Sequence, residues 1–193
     1  VLPNEFRRLE GLIAQTNTVV NAALIIGSTY QLYADSTVPT GNTIANSSAQ
    51  TSFASSYLFP ANSIVAGQSF RIKLYGVFSL IAATGTVQLK VILGGQTVLN
   101  TGAQAIAGGF SNGGFCLEGD LFITTIGTSG QIEAQGTAQF GTPVQSGHLL
   151  NLPNAAAFTV NTTVSQALTF AWTFGTANAG NTCTLRAARV EQL

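Results

Sequence analysis

Over much of the chain, apolar and polar residues alternate with a period of two. In QSFRIKLYGVF (residues 68–78), Phe70, Ile72 and Leu74 fall on one side and Arg71, Lys73 and Tyr75 on the other, as in a strand with one buried face. Residues 53–59 form a candidate strand closed by Pro60, Ala61 and Asn62, and 69–80 form the next, with Gly76 as an expected bulge. In TVQLKVILGGQTVLNTG, Val87, Leu89, Val91 and Leu93 share a face, and Gly94-Gly95 supplies the positive φ angles of a tight hairpin turn. FCLEGDLFITTIG sets Phe115, Leu117, Leu121 and Ile123 against Glu118 and Asp120, and SGQIEAQGTAQF alternates in the same way. QALTFAWTF and TCTLRAARVEQL are the last two strands.

The start of the chain departs from this pattern. In VLPNEFRRLE, Asn4 can cap a helix on which Phe6, Leu9 and Ile13 recur at helical spacing, weakened by Gly11. This is a short amphipathic arm, with Leu2, Phe6 and Leu9 as its apolar contact residues. Residues 17–34 read as two short strands broken by Gly27. Stretches rich in Ser, Thr, Asn, Gly and Pro predict long surface loops at 36–52, 101–114 and 141–157. The whole predicts an all-β fold, an antiparallel β-sandwich of jelly-roll type with about eight strands, more than a small barrel or an immunoglobulin-like domain. Its expected division is an arm with the first short strands at 1–35 and the sandwich at 36–193.

Composition narrows the function. Of the 193 residues only 7% are charged, and seven cations balance seven anions; an ordinary soluble domain carries roughly 25%. Such a surface lacks the clustered Lys and Arg that nucleic acid or anionic lipid demands, so neither partner is expected. The run VVNAALII is far shorter than the roughly 20 residues of a membrane-spanning helix. No basic stretch precedes an apolar run at the start, and no secretory signal is expected. Cys116 and Cys183 form no CxxC pair. Two free, buried thiols are the expected state, with a disulfide as the alternative.

Candidate chemistry is sparse. His148, the single histidine, has only Ser146 as a neighbouring nucleophile, which makes no triad. Glu118 and Asp120 share a strand face, with Glu133 on the next strand, a pattern open to a glycosidase pair or a Ca²⁺ site but more simply the outer side of a hairpin. Arg71 and Lys73 are expected to face Glu118 and Asp120 across strands and to help fix register or subunit contacts, with phosphate binding as the alternative. Arg186, Arg189 and Glu191 are expected to guard an edge or form a contact ladder. Leu168, Phe170, Trp172 and Phe174 make an apolar row that reads as core before it reads as a sugar-stacking platform. AIAGGFSNGGF lacks the GK[ST] of a phosphate loop. No catalytic residue, metal ligand or cofactor is assigned.

The ordered segments YLFPANSIVAGQSFRIKLYGVFS, GTVQLKVILGGQTVLNTGA, LEGDLFITTIGTSGQIEAQGTA and TLRAARVEQL together resemble jelly-roll virion proteins of tailed bacteriophages. The shared features are a Pro-Ala-x-Ser turn before an R-I-K strand, a strand ending in Leu-Gly-Gly, and an acidic strand ahead of a Ser-Gly hairpin. The resemblance runs from about Tyr57 to Leu193. It implies a non-enzymatic structural protein of the virion, assembled in the host cytoplasm. Its foremost form is a capsid decoration or cement subunit that self-associates, as a trimer by analogy, and docks on the major capsid protein or another virion protein. The alternatives are a tail or fibre protein that binds the host surface through its loops, and a carbohydrate-binding β-sandwich module.

Overall fold

The computed structural model describes residues 30–35, 40–81, 84–142, 145–153 and 156–193. Gln31–Gln192 form one compact unit. The other unit, Val1–Tyr30 with Leu193, falls almost entirely outside the described residues, and with it the arm residues Leu2, Phe6 and Leu9. Thirteen strands are present among the described residues: β1 Tyr30–Asp35, β2 Thr43–Ala45, β3 Thr51–Phe59, β4 Ser69–Leu80, β5 Thr84–Leu93, β6 Gln96–Asn100, β7 Gln104–Ala107, β8 Phe110–Thr125, β9 Gly130–Thr142, β10 Gln145–Leu152, β11 Phe158–Val160, β12 Gln166–Phe174 and β13 Thr182–Gln192. They form an eight-stranded sheet along β1-β13-β4-β8-β9-β10, with β2 on β13 and β11 on β9, and a five-stranded sheet along β3-β12-β5-β6, with β7 on β5.

The order of pairing identifies a jelly roll. β2 pairs with β13, β3 with β12, β4 with β8 and β5 with β6, all antiparallel. From β2 to β13 the chain is thus one long hairpin, outermost strands paired with outermost and innermost with innermost, rolled so that successive pairs fall in alternate sheets. β9, β10 and β11 are additions between β8 and β12 that widen the first sheet. The strands beyond the eight of this frame are mostly short.

Alternation explains why these segments pair. Ile72 and Leu74 of β4, Val87, Leu89 and Val91 of β5, Leu121 of β8, and Leu168, Phe170, Trp172 and Phe174 of β12 have no exposed surface and belong to one continuous core. Burying each such side chain is worth roughly 1.5–3 kcal/mol. Trp172 is ringed by Phe78, Phe115, Phe140 and Phe174 at centroid distances of 5.2–5.8 Å, so its row is core.

Three expectations change. The segments 101–114 and 141–157 are not simply loops: β7 and the first residues of β8 lie in one, β10 in the other, and β2 lies within 36–52. Gly76 is not itself bulged. The extra residue is Arg186 on β13, between Leu185 and Ala187 opposite Gly76 and Tyr75. Glycine is required at 76 because a Cβ would run into the Phe115 ring and the Thr184 carbonyl. Finally, β13 is no edge strand, since β1 and β2 lie on one side of it and β4 on the other.

Candidate functional site

Opposed residues in an antiparallel sheet point to the same side, and the outer face of the eight-stranded sheet can be read from its register. One row runs Glu191, Arg71, Asp120, Gln135 across β13, β4, β8 and β9. The next runs Arg189, Lys73, Glu118, Thr137, Asn151 and reaches β10. A third runs Ala187, Tyr75, Cys116, Gln139, Leu149. Six of the chain's fourteen charged residues therefore lie in two adjacent rows.

The charges are ordered by one guanidinium. Arg71 Nε and Nη2 donate to Asp120 Oδ1 and Oδ2 at 2.8 and 3.0 Å, a fork that fixes both side chains across the β4–β8 pair. Arg71 Nε also lies 3.4 Å from Glu118 Oε1. The hydrogen bond to Asp120 raises the Arg71 pKa above its ordinary value against an opposing effect of desolvation, and the fields of Asp120, Glu118 and Glu191 add to the rise. Lys73 turns away from its register partner Glu118 and pairs with Glu191 at 3.3 Å between Nζ and Oε2. The Glu191 side chain is 12% exposed, against 49% for Glu118, so the pair with Glu191 is the better shielded from water. With both cations held by carboxylates, Arg71 and Lys73 do not form an open phosphate site.

Beyond these pairs the two rows separate into the walls of a groove. Asp120, Gln135 and Pro153 form one wall; Glu118, Thr137 and Asn151 form the other; the backbone of Gly119, Gly136 and Leu152 is the floor. The groove crosses β8, β9 and β10 at right angles to the strands, is open to solvent and has a volume of about 470 Å³. A second depression of about 280 Å³, lined by Thr97, Leu99, Asn100 and Phe158, shares Leu152 and Pro153 with it. The walls offer carboxylate and amide acceptors, amide donors and a hydroxyl, all on strands. Glu118 and Asp120 are the charged residues lining the groove.

The other candidates are scattered. His148 is exposed on β10. Glu133 lies opposite Phe122, one row beyond Asp120, and among the described residues no group of three His, Cys, Asp or Glu is placed to hold a metal ion. Both cysteines are free. Cys183 is buried in the core, while Cys116 is half-buried on the outer face, so their thiols lie on opposite sides of the sheet. Burial pushes the Cys183 thiol pKa well up. Lys90 donates to Gln50 Oε1 at 2.7 Å, away from the groove. Gln135, Thr137, Asn151 and Pro153 were not singled out from sequence. The alternation of β9 marks the first two as outward, but only the register of β10 brings Asn151 and Pro153 beside them.

No family model matches the chain, and no curated protein matches it significantly. Among solved structures it is similar to peanut lectin with a bound nonamer peptide, at 7% identity and a TM-score of 0.43, covering 86% of this chain and 98% of the lectin. It is similar to the CBM2 module of the evolved Dit protein of Lactobacillus casei BL23 phage J-1, at 9% identity and a TM-score of 0.40, covering 84% and 95%. It is also similar to the insecticidal δ-endotoxin Cry8Ea1 of Bacillus thuringiensis, at 15% identity and a TM-score of 0.34 over 78% of this chain, which spans only 19% of the toxin. The jelly-roll assignment rests on the strand order and not on these likenesses.

Proposed function

We propose that this chain is a non-enzymatic binding module that takes a carbohydrate on the outer face of its eight-stranded sheet. The supporting observation is the groove across β8, β9 and β10, where strand-held polar side chains flank a glycine-containing floor. Polyhydroxylated ligands are recognised by convergent acceptors and donors of this kind, held rigid before binding so that little ordering entropy is lost. Catalysis is a poorer fit, because both oxygens of Asp120 are engaged by Arg71, whereas a glycosidase acid must hold a proton. Affinity electrophoresis through gels containing soluble polysaccharides tests the proposal. The wild-type chain is expected to be retarded by at least one polysaccharide, with the retardation lost in Asn151→Ala and Thr137→Ala; unaltered mobility in every gel would overturn it.

A second reading concerns the setting. The segments that resemble phage virion proteins fall on the strands from β3 to β13, and the charge-poor surface suits association with little desolvation. In this reading the chain is a virion subunit, associated with its own copies and docked on a capsid or tail protein, without contact to nucleic acid or membrane. A carbohydrate groove is compatible with it. Immunogold labelling of purified particles is expected to decorate the head or the tail, and bare particles would count against this setting.

A further inference from the structure

Resting on the carbohydrate reading, we infer that the groove selects uncharged glycans, and that Glu118 is the residue that sets this selection. The inference follows from how the six charges of the two rows are distributed. Arg71, Lys73 and Arg189 lie on β4 and β13, to one side of the groove, while its lining carries Glu118 and Asp120 and no cation.

The two carboxylates are not equivalent. Asp120 is neutralised by a two-point bond from Arg71 and its side chain is 21% exposed. Glu118 is 49% exposed and has one longer contact, from Oε1 to the same guanidinium nitrogen. Lys73, which the register sets directly opposite Glu118, is engaged instead by Glu191. The groove thus presents one carboxylate that is only partly compensated, with acceptor capacity left for hydroxyl donors. Two neighbouring hydroxyls of a sugar ring satisfy such an acceptor, and the amides of Gln135 and Asn151 supply donors and acceptors on the two walls. A uronate or sulfate ester in the same place brings a like charge within a few ångströms. At physiological salt the screening length is about 8 Å, so that repulsion persists at contact distance. A ligand lying along the groove crosses one strand every ~4.8 Å, a spacing close to the length of one pyranose unit, so successive rings meet β8, β9 and β10 in turn.

The test compares the full chain with Glu118→Gln and Glu118→Lys by affinity electrophoresis. The neutral probes are galactomannan, xyloglucan, mixed-linkage β-glucan and arabinoxylan; the anionic probes are polygalacturonate and alginate. The wild-type chain is expected to bind a neutral probe at least about tenfold more tightly than either anionic one. Glu118→Gln should narrow that ratio, Glu118→Lys should reverse it toward polygalacturonate, and added salt should shrink the wild-type ratio while leaving that of Glu118→Gln nearly unchanged. A merely structural Glu118 would not move the ratio between probes. Equal wild-type binding of neutral and anionic probes, or a ratio unchanged in both variants, would overturn the selection while leaving the carbohydrate reading standing. Binding of none of the six would overturn that reading and the inference with it.

Discussion

Arg71 and Asp120 explain why a chain with so few charges concentrates them on neighbouring strands. They stand directly opposite in the β4–β8 register and meet through two hydrogen bonds, so a slip of either strand by one residue would drive its own member of the pair into the core and leave the other unpaired. A double-mutant cycle with Arg71→Ala and Asp120→Ala, read by urea denaturation, is expected to give a coupling of roughly 1 kcal/mol. The value is modest because both side chains retain contact with water, and a coupling indistinguishable from zero would remove the pair from the account of register. The alternation of β4 and β8 made the two rows legible in sequence; the choice of Lys73 for Glu191 was not, because it depends on burial at the far end of β13. Cys183 carries a second residue-scale prediction. Its folded-state pKa is raised by burial above the ordinary value of 9.0, so above that pH the unfolded chain loses a proton that the folded chain keeps. Stability from this group is full below the unfolded pKa and falls as pH rises, by up to about 1.4 kcal/mol per pH unit. Thermal melts between about pH 8 and pH 10.5 should decline more steeply for wild type than for Cys183→Val. Parallel declines would show that the thiol is not held neutral by the fold.

At the scale of elements, the strands that sequence made legible are those with one buried face and one wet one. β4 and β12 follow their alternation closely, and the β5–β6 hairpin turns at Gly94 and Gly95 with φ of 57° and 82°. Gly95 has open space where a Cβ would stand, so Gly95→Ala tests backbone strain alone. It should lower stability by about 1 kcal/mol, with Gly95→Asn losing less because asparagine enters the left-handed region more readily. Equal losses in urea midpoint for the two would mean that something other than φ governs the turn. The elements that sequence missed failed for a different reason. The start of β8 reads as a loop because of Gly113 and Gly114, yet a Cβ at 113 would press on the Phe110 ring and the Gly141 carbonyl oxygen; there glycine reflects close packing within a strand. β10, QSGHLLNL, lacks a strict alternation because it lies at the end of the sheet and is ordered by pairing with β9. The parts of Asn151 and Pro153 in the two groove walls were hidden with it, since long-range pairing and not local preference puts those residues beside Thr137 and Gln135.

For the molecule as a whole, the pairing of outermost strands with outermost means that the frame closes only when β13 is in place. β13 runs between β4 and the pair β1 and β2, and it contributes Cys183, Leu185, Ala188 and Val190 to the core. Most of the stabilising contacts therefore join residues far apart in sequence, the arrangement that makes sandwich folding slow and strongly cooperative. Ending the chain after Asn181 would strip β4 of a full-length neighbour and expose one side of the core, a loss no local repacking can offset. Such a truncation is expected to abolish the cooperative thermal transition and the near-ultraviolet circular dichroism of Trp172. Asn151→Ala, at the rim of the added strands, should leave both intact while removing carbohydrate binding. A truncated chain that still melted cooperatively would mean that β1 to β12 close a core by themselves, and that the rolled hairpin is not the unit of stability. Loss of the transition in Asn151→Ala would mean that the groove and the frame cannot be separated. The expected contrast, a β13 essential to the fold and a rim essential only to the proposed binding, follows from a candidate groove that starts on β8 of the frame and is completed by the added strands β9 and β10.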